Sequence, residues 1–324
     1  MPETAPLPAR TAPGAAERLL ERLEWTVIRR LDGLLQGGAR TLLRGAGIDL
    51  ADLREYQPHD DVRHIDWNVT ARLATPHVRV YTEDRDMTAW FLLDLSPSVD
   101  FGAPGQAKRD LATGFVGVLA RLLQRQGNRV GAMLHDGSAT LGPVLSARGG
   151  RAQVLRLLHA ITSHAPLPSF AAPPGVTDLR RLLDRAQALL RRRSALFVLS
   201  DFLSTPGWDR PLARLAQRHD VVAVRLLDPL ELTLPDMGLL LLRDPETGEQ
   251  LQVDTHERGF RHRFARLAAQ REAELRSALT RAGVDTLELS TDDDLLAALL
   301  RFMELRGHRP RAATARPALA AHHG

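Results

Sequence analysis

Apolar residues recur at helical spacing near the start of the chain: Leu19, Leu20, Leu23, Val27, Ile28, Leu31 and Leu35 form one stripe, so residues 15–35 are expected to be helical. Residues 49–88 break that pattern. They form a dense polar stretch with two short strand-like pieces, one around Leu73 and one over 77–81. From residue 88 onward, short apolar runs alternate with longer amphipathic segments. Strands are expected over 89–95, 129–135, 139–145, 195–199, 220–227, 239–243, 250–254 and 284–289. Helices are expected over 106–125, 150–163, 178–193, 208–217, 258–282 and 294–305. Asp136-Gly137-Ser138 and Pro245-Glu246-Thr247-Gly248 read as hairpin turns.

Strands separated by helices of this length imply an α/β fold, a doubly wound and mostly parallel sheet with helices on both faces. The organisation that follows has four parts: a disordered Pro/Ala-rich start (1–14), an N-terminal helix and polar extension (15–88), the main domain (89–305) and a disordered basic tail (306–324).

Composition narrows the chemistry. The absence of Cys excludes disulfides, thiol nucleophiles and thiolate-held metals. Of 43 Lys and Arg residues only Lys108 is a lysine, and it stands in Gln106-Ala107-Lys108-Arg109, so there is no Gly-Lys-Ser/Thr phosphate loop. Lys108 has no evident apolar surroundings in sequence that would activate it as a nucleophile. The net charge is +4, and Arg306, Arg309, Arg311 and Arg316 account for all of it. A neutral body with a short basic tail is a poor footprint for nucleic acid, so none is expected as a partner. No apolar run approaches the roughly 20 residues of a membrane helix, and the N-terminus lacks a secretory pattern; the expected location is the cytoplasm.

Ligand sites of doubly wound sheets lie beyond the carboxyl ends of the strands. There the first strand of the main domain runs into Asp94-Leu95-Ser96-Pro97-Ser98, the 195–199 strand runs into Ser200-Asp201, and Thr177 stands just before a helix. Two carboxylates and three hydroxyls from three loops make a hard, all-oxygen donor set suited to Mg²⁺. A helix-capping turn would explain the Asp94–Ser98 triplet taken alone, and Asp178 suits a cap better than a ligand.

Asp94-x-Ser96-x-Ser98 with Thr177 and Asp201 resembles the metal-ion-dependent adhesion site of von Willebrand factor A (vWA, Rossmann-like) domains. The stretch Arg54-Glu55-Tyr56-x-Pro58-x-Asp60-Asp61-Val62-Arg63-x-Ile65-Asp66-Trp67-x-x-Thr70-Ala71-Arg72 resembles the signature of the vWA-like bacterial family called domain of unknown function 58. Ser200-Asp201-Phe202, Leu227-Asp228-Pro229-Leu230-Glu231 and Asp244-Pro245-Glu246-Thr247-Gly248 are similar to it too. Val176, His59 and Val99 depart from the usual pattern without removing a ligand type.

That resemblance implies a Mg²⁺ site, with Mn²⁺ as a substitute, in which Ser96 and Ser98 contact the metal and Thr177, Asp94 and Asp201 complete its shell directly or through water. It also implies a protein partner, a MoxR-type AAA+ ATPase or its client in a chaperone-like or metal-insertion assembly. An open position on such a metal favours a carboxylate from a partner, which is recognition and not catalysis. The competing expectations are a Mg²⁺-dependent phosphohydrolase using Asp94 and a metal-free structural scaffold. Against the first, Ser96 stands where a second Asp would be sought. A serine hydrolase lacks its flanking glycines at Ser96 and Ser98, and His256-Glu257 lacks the second His of a zinc protease, since Phe260 occupies its place. The charges at Asp60, Asp61, Arg63, Asp66 and Arg72 are expected to pair internally, with Trp67 as their apolar anchor.

Overall fold

A computed structural model describes residues 14–28, 31, 49–57, 60, 62, 65–82, 87–102, 106–137, 142–164 and 177–308. Apart from Gly14 and residues 306–308, the ends expected to be disordered lie outside the described residues, as do Pro58, His59, Asp61, Arg63 and Val176.

The elements run in the order α1 (Ala15–Leu23), β1 (Asp49–Glu55), α2 (Trp67–Leu73), β2 (His77–Thr82), β3 (Thr88–Asp94), α3 (Lys108–Arg125), β4 (Arg129–His135), β5 (Val144–Arg148), α4 (Arg151–Thr162) and α5 (Leu179–Leu189). They continue with β6 (Ala195–Ser200), α6 (Asp209–Arg218), β7 (Asp220–Leu227), β8 (Leu239–Arg243), β9 (Gln250–Asp254), α7 (Arg258–Ala282), β10 (Asp285–Ser290) and α8 (Leu295–His308).

Six strands form the central sheet in the order β10-β7-β6-β3-β4-β5, all neighbours parallel except β4 and β5. Two further antiparallel pairs, β1–β2 and β8–β9, stand as separate two-stranded sheets. Alternation along each central strand divides the core between two faces. Phe91, Leu93, Phe197, Leu199, Val222 and Val224 turn toward α1, α3, α4 and α8. Leu92, Met133, Leu196, Val198 and Ala223 turn toward α5, α6 and α7. Helices therefore cover both faces of a mostly parallel sheet, and its strands read as continuous apolar runs because both faces are buried.

At the centre of the first face Phe197 stacks on Phe91 (centroids 5.6 Å apart) and meets Phe115 edge-on at 6.1 Å. On α3, Gly117 lets α1 close in: a Cβ there would lie 2.7 Å from Leu23 Cδ1.

Several expectations shift. The strand-like piece around Leu73 is the end of helix α2, and a strand forms instead at β1, whose polar residues pair with β2. The second strand of the 129–145 hairpin is Val144–Arg148, an edge strand with half-exposed residues; residues 138–141 lie outside the described set. Trp67 opens α2 with 69% of its surface exposed, so among the described residues it is not a buried apolar anchor.

Chain order and spatial order together place the site. From β3 the chain winds outward through β4 and β5, then returns to lay β6 on the other side of β3. The reversal leaves a crevice beyond the carboxyl ends of β3 and β6, where doubly wound sheets bind ligands.

Candidate functional site

The crevice holds the residues singled out from the sequence. Asp94 ends β3, and the chain turns at once into a 3₁₀ turn, Pro97–Asp100. One Asp94 oxygen accepts from the Ser96 amide (3.1 Å) and the other from the Ser200 hydroxyl at the end of β6 (2.7 Å). The turn is fastened to α3: Arg109 donates to Asp100 Oδ2 at 3.0 Å and to the Leu95 carbonyl at 3.2 Å.

Ser96 Oγ and Ser98 Oγ lie 3.1 Å apart, both buried. Thr177 is also buried, and its carbonyl is gripped by the Ser204 hydroxyl (2.8 Å) and the Thr205 amide (3.0 Å) from the loop after β6. Gly137, beyond β4, brings Thr177 beside the serines. Its φ is +81°, and a Cβ there would sit 3.1 Å from Thr177 Oγ1 and 3.3 Å from Ser96 Cβ. Asp178 is the N-cap of α5 by position, but its side chain makes no capping bond.

Asp201 follows β6 in a tight turn. Its Oδ1 accepts from the Leu203 amide at 3.0 Å, while the Phe202 amide donates to Ser200 Oγ at 2.8 Å. Phe202 adopts φ +60°, a conformation bulky residues rarely take, and is held there by packing on Trp208 (centroids 5.1 Å apart).

Asp94, Ser96, Ser98, Thr177 and Asp201 are thus neighbours at one sheet edge, each with less than a twentieth of its surface exposed. Burial pushes the Asp94 carboxyl above its ordinary pKa, and the like charge of Asp201 adds to it; bonds from Ser200 and Ser96 pull the other way. Among the described residues no cationic side chain pairs with Asp94, and no group of three or more His, Cys, Asp or Glu is placed to hold a metal. The donor set here is of another kind, two carboxylates and three hydroxyls.

Five residues that sequence reasoning did not place at the site complete it. The chain's single lysine lies fully buried, with Nζ 2.7 Å from Asp201 Oδ2 and 2.5 Å from Glu231 Oε1. Burial works to lower its pKa, but Asp201 and Glu231 outweigh that and hold the ammonium above its ordinary value. Glu231 arrives on a 3₁₀ turn after β7, Pro229–Glu231, which Asp228 caps by accepting from the Leu230 amide at 2.9 Å.

Glu246 arrives from the tip of the β8–β9 ribbon. Its Oε1 accepts from the Thr177 hydroxyl (3.0 Å) and the Ser98 amide (3.3 Å). Burial raises its pKa against those two bonds. Ser200 is the partner of Asp94 already described.

His135, at the end of β4, pairs in register with Asp94. It is buried, and neither ring nitrogen has a hydrogen-bond partner among the described residues. Burial lowers its pKa against the opposing pull of Asp94 and Asp136.

A signal existed for two of these. A lone lysine opening the helix after the Asp-x-Ser-x-Ser turn is a compositional singularity, and Glu246 sits in a turn-forming Asp-Pro-Glu-Thr-Gly segment.

A doubly wound α/β sheet with this turn at its switch point defines a protein of the vWA-like fold class. Within that class the chain belongs to the family described as protein of unknown function DUF58, which matches residues 52–274. Uncharacterised proteins of Mycobacterium tuberculosis and Mycobacterium bovis are each 39% identical over 290 residues, spanning 89% of this chain and 88% of theirs. Among solved structures, the conserved hypothetical protein BatB from Bacteroides thetaiotaomicron is similar, with 15% identity, a TM-score of 0.41, and coverage of 68% of this chain and 98% of that one. Among the described residues no helix is long and apolar enough to cross a membrane.

Proposed function

We propose that the chain is a non-enzymatic recognition module of the cytoplasm that binds a protein partner through a Mg²⁺ site formed by Asp94, Ser96, Ser98, Thr177 and Asp201. The observation that carries this reading is Asp94: a buried carboxylate with no cationic partner among the described residues, beside three hydroxyl oxygens. A hard divalent cation suits such donors and relieves the charge that burial penalises. When bound, it would offer an electrophilic position that a partner's Asp or Glu completes. By family resemblance the partner is a MoxR-type AAA+ ATPase or its client.

Calorimetric titration of Mg²⁺ and of Mn²⁺ tests the site. About one equivalent is expected to bind the wild type, and none the Ser96→Ala/Asp201→Ala double variant. Ser96→Ala alone leaves the Lys108–Asp201 pair in place, and is expected to weaken binding without unfolding the chain. No heat in the wild type would refute the metal site.

A second reading has its own support. The Lys108 ammonium already supplies a positive charge to Asp201, so a metal-free site with a built-in cation is the alternative. Hydrolysis is disfavoured, because Ser96 stands where the second Asp of such a phosphohydrolase would be sought. No Mg²⁺-dependent turnover of p-nitrophenyl phosphate is expected.

A further inference from the structure

The β8–β9 ribbon belongs to neither face of the main sheet, yet its tip reaches the switch-point crevice. The turn that does this is built for one presentation. Asp244 Oδ1 accepts from the amides of Glu246 (2.8 Å) and Thr247 (3.0 Å), Gly248 closes the turn with φ +74°, and the Gly248 amide donates to the Asp244 carbonyl at 2.8 Å. Glu246 is thereby set between two donors nearly eighty residues apart in the chain, the Thr177 hydroxyl and the Ser98 amide. Its neighbour Glu249 is exposed, so the ribbon does not deliver acids to the crevice indiscriminately.

We propose that Glu246 is a tethered internal ligand: its carboxylate occupies the hydroxyl-and-amide cradle of Ser98 and Thr177, and an acidic side chain from a partner binds there by displacing it. This deepens the recognition reading above and rests on it for the partner. The ribbon then acts as the cradle's lid, and the site takes a carboxylate whether or not a metal assists.

The chemistry is self-consistent. A carboxylate accepts two short-range bonds here, from one hydroxyl and one backbone N–H, and an aspartate or glutamate of another chain offers the same acceptor. Competition between a tethered and a free ligand is set by effective concentration, so closure weakens a free carboxylate without any change in the cradle itself.

Hydrogen exchange and a small dicarboxylate probe test this. In Glu246→Ala the amides of residues 239–254 are expected to exchange about tenfold faster than in the wild type, while Glu249→Ala leaves them unchanged. Unaltered exchange in β3 and β6 shows that the variant is folded. Glutarate, titrated in Mg²⁺ and separately in EDTA, is expected to bind Glu246→Ala at least about tenfold more tightly than the wild type.

Equal ribbon exchange in wild type and Glu246→Ala overturns the tether, and equal glutarate affinity overturns the displacement. A gain that appears equally in Mg²⁺ and in EDTA upholds the tethered ligand while removing the metal. A gain confined to Mg²⁺ upholds both.

Discussion

Replacing Lys108 by methionine keeps the length and volume of the side chain and removes only the charge. Asp201 suffers most. Its side chain is 1% exposed, so water cannot reach it once the ammonium is gone, whereas Glu231 at 21% keeps some access. At 2.7 Å the direct attraction to Asp201 is about 6 kcal/mol in a medium of effective dielectric near 20. Much of that is offset by the cost of burying both charges. What remains on breaking one side of a buried pair is about 3–5 kcal/mol, a large part of the roughly 5–15 kcal/mol that holds a domain folded.

Lys108→Met in EDTA is therefore expected to lower the urea-unfolding free energy by that amount at pH 7. Because the folded-state pKa of Lys108 is raised, its contribution is fully present below the unfolded value of 10.5 and is lost as pH rises through the folded value. Lys108→Met/Asp201→Asn should recover part of the loss, since the only charge left without its counter-ion is that of the partly exposed Glu231. A loss below about 1 kcal/mol, or strictly additive effects in the double variant, would refute the reasoning.

Other outcomes follow from the same geometry. Gly137→Ala, forced into positive φ with its methyl against Thr177 and Ser96, should cost about 1–3 kcal/mol and weaken Mg²⁺ binding, measured by urea unfolding and calorimetry. Phe197→Ala empties the centre of the aromatic stack and should cost about 3–5 kcal/mol by the same unfolding assay. Burial, with Arg218 and Arg193 nearby, holds the His219 pKa below 6.5 against a bond to the Leu190 backbone. Its stabilising contribution is full above pH 6.5 and is lost as pH falls toward the folded value, so His219→Asn should flatten that stretch of the stability–pH curve.

The legible part of the fold was the part buried on both faces. β3 and β6 are apolar runs along nearly their whole length, β7 is one but for Asp220 and Arg225, and the helices between them carry one-sided stripes, so a parallel sheet and the position of its carboxyl edge could be read directly. Asp94, Ser96, Ser98 and Asp201 follow because they directly succeed such strands. β1 escaped because Asp49, Asp52, Arg54 and Glu55 pair with β2 outside the main sheet and obey no core pattern. β5 was expected over 139–145 and lies at Val144–Arg148, because an edge strand with few apolar residues marks its bounds weakly. At the site, Lys108, Glu231 and Glu246 were hidden for another reason. They converge from segments up to 138 residues apart, and only the winding of the chain around β3 brings them together.

The seclusion of Lys108 also gives the molecule a chemical clock. Apart from its α-amino group, the chain carries a single amine, and folding seals it beneath Asp201 and Glu231. An acylating reagent that labels only unprotonated, accessible amines reaches Lys108 only when the crevice comes apart, so mass added at Lys108 counts openings of this one locus, with no engineered probe.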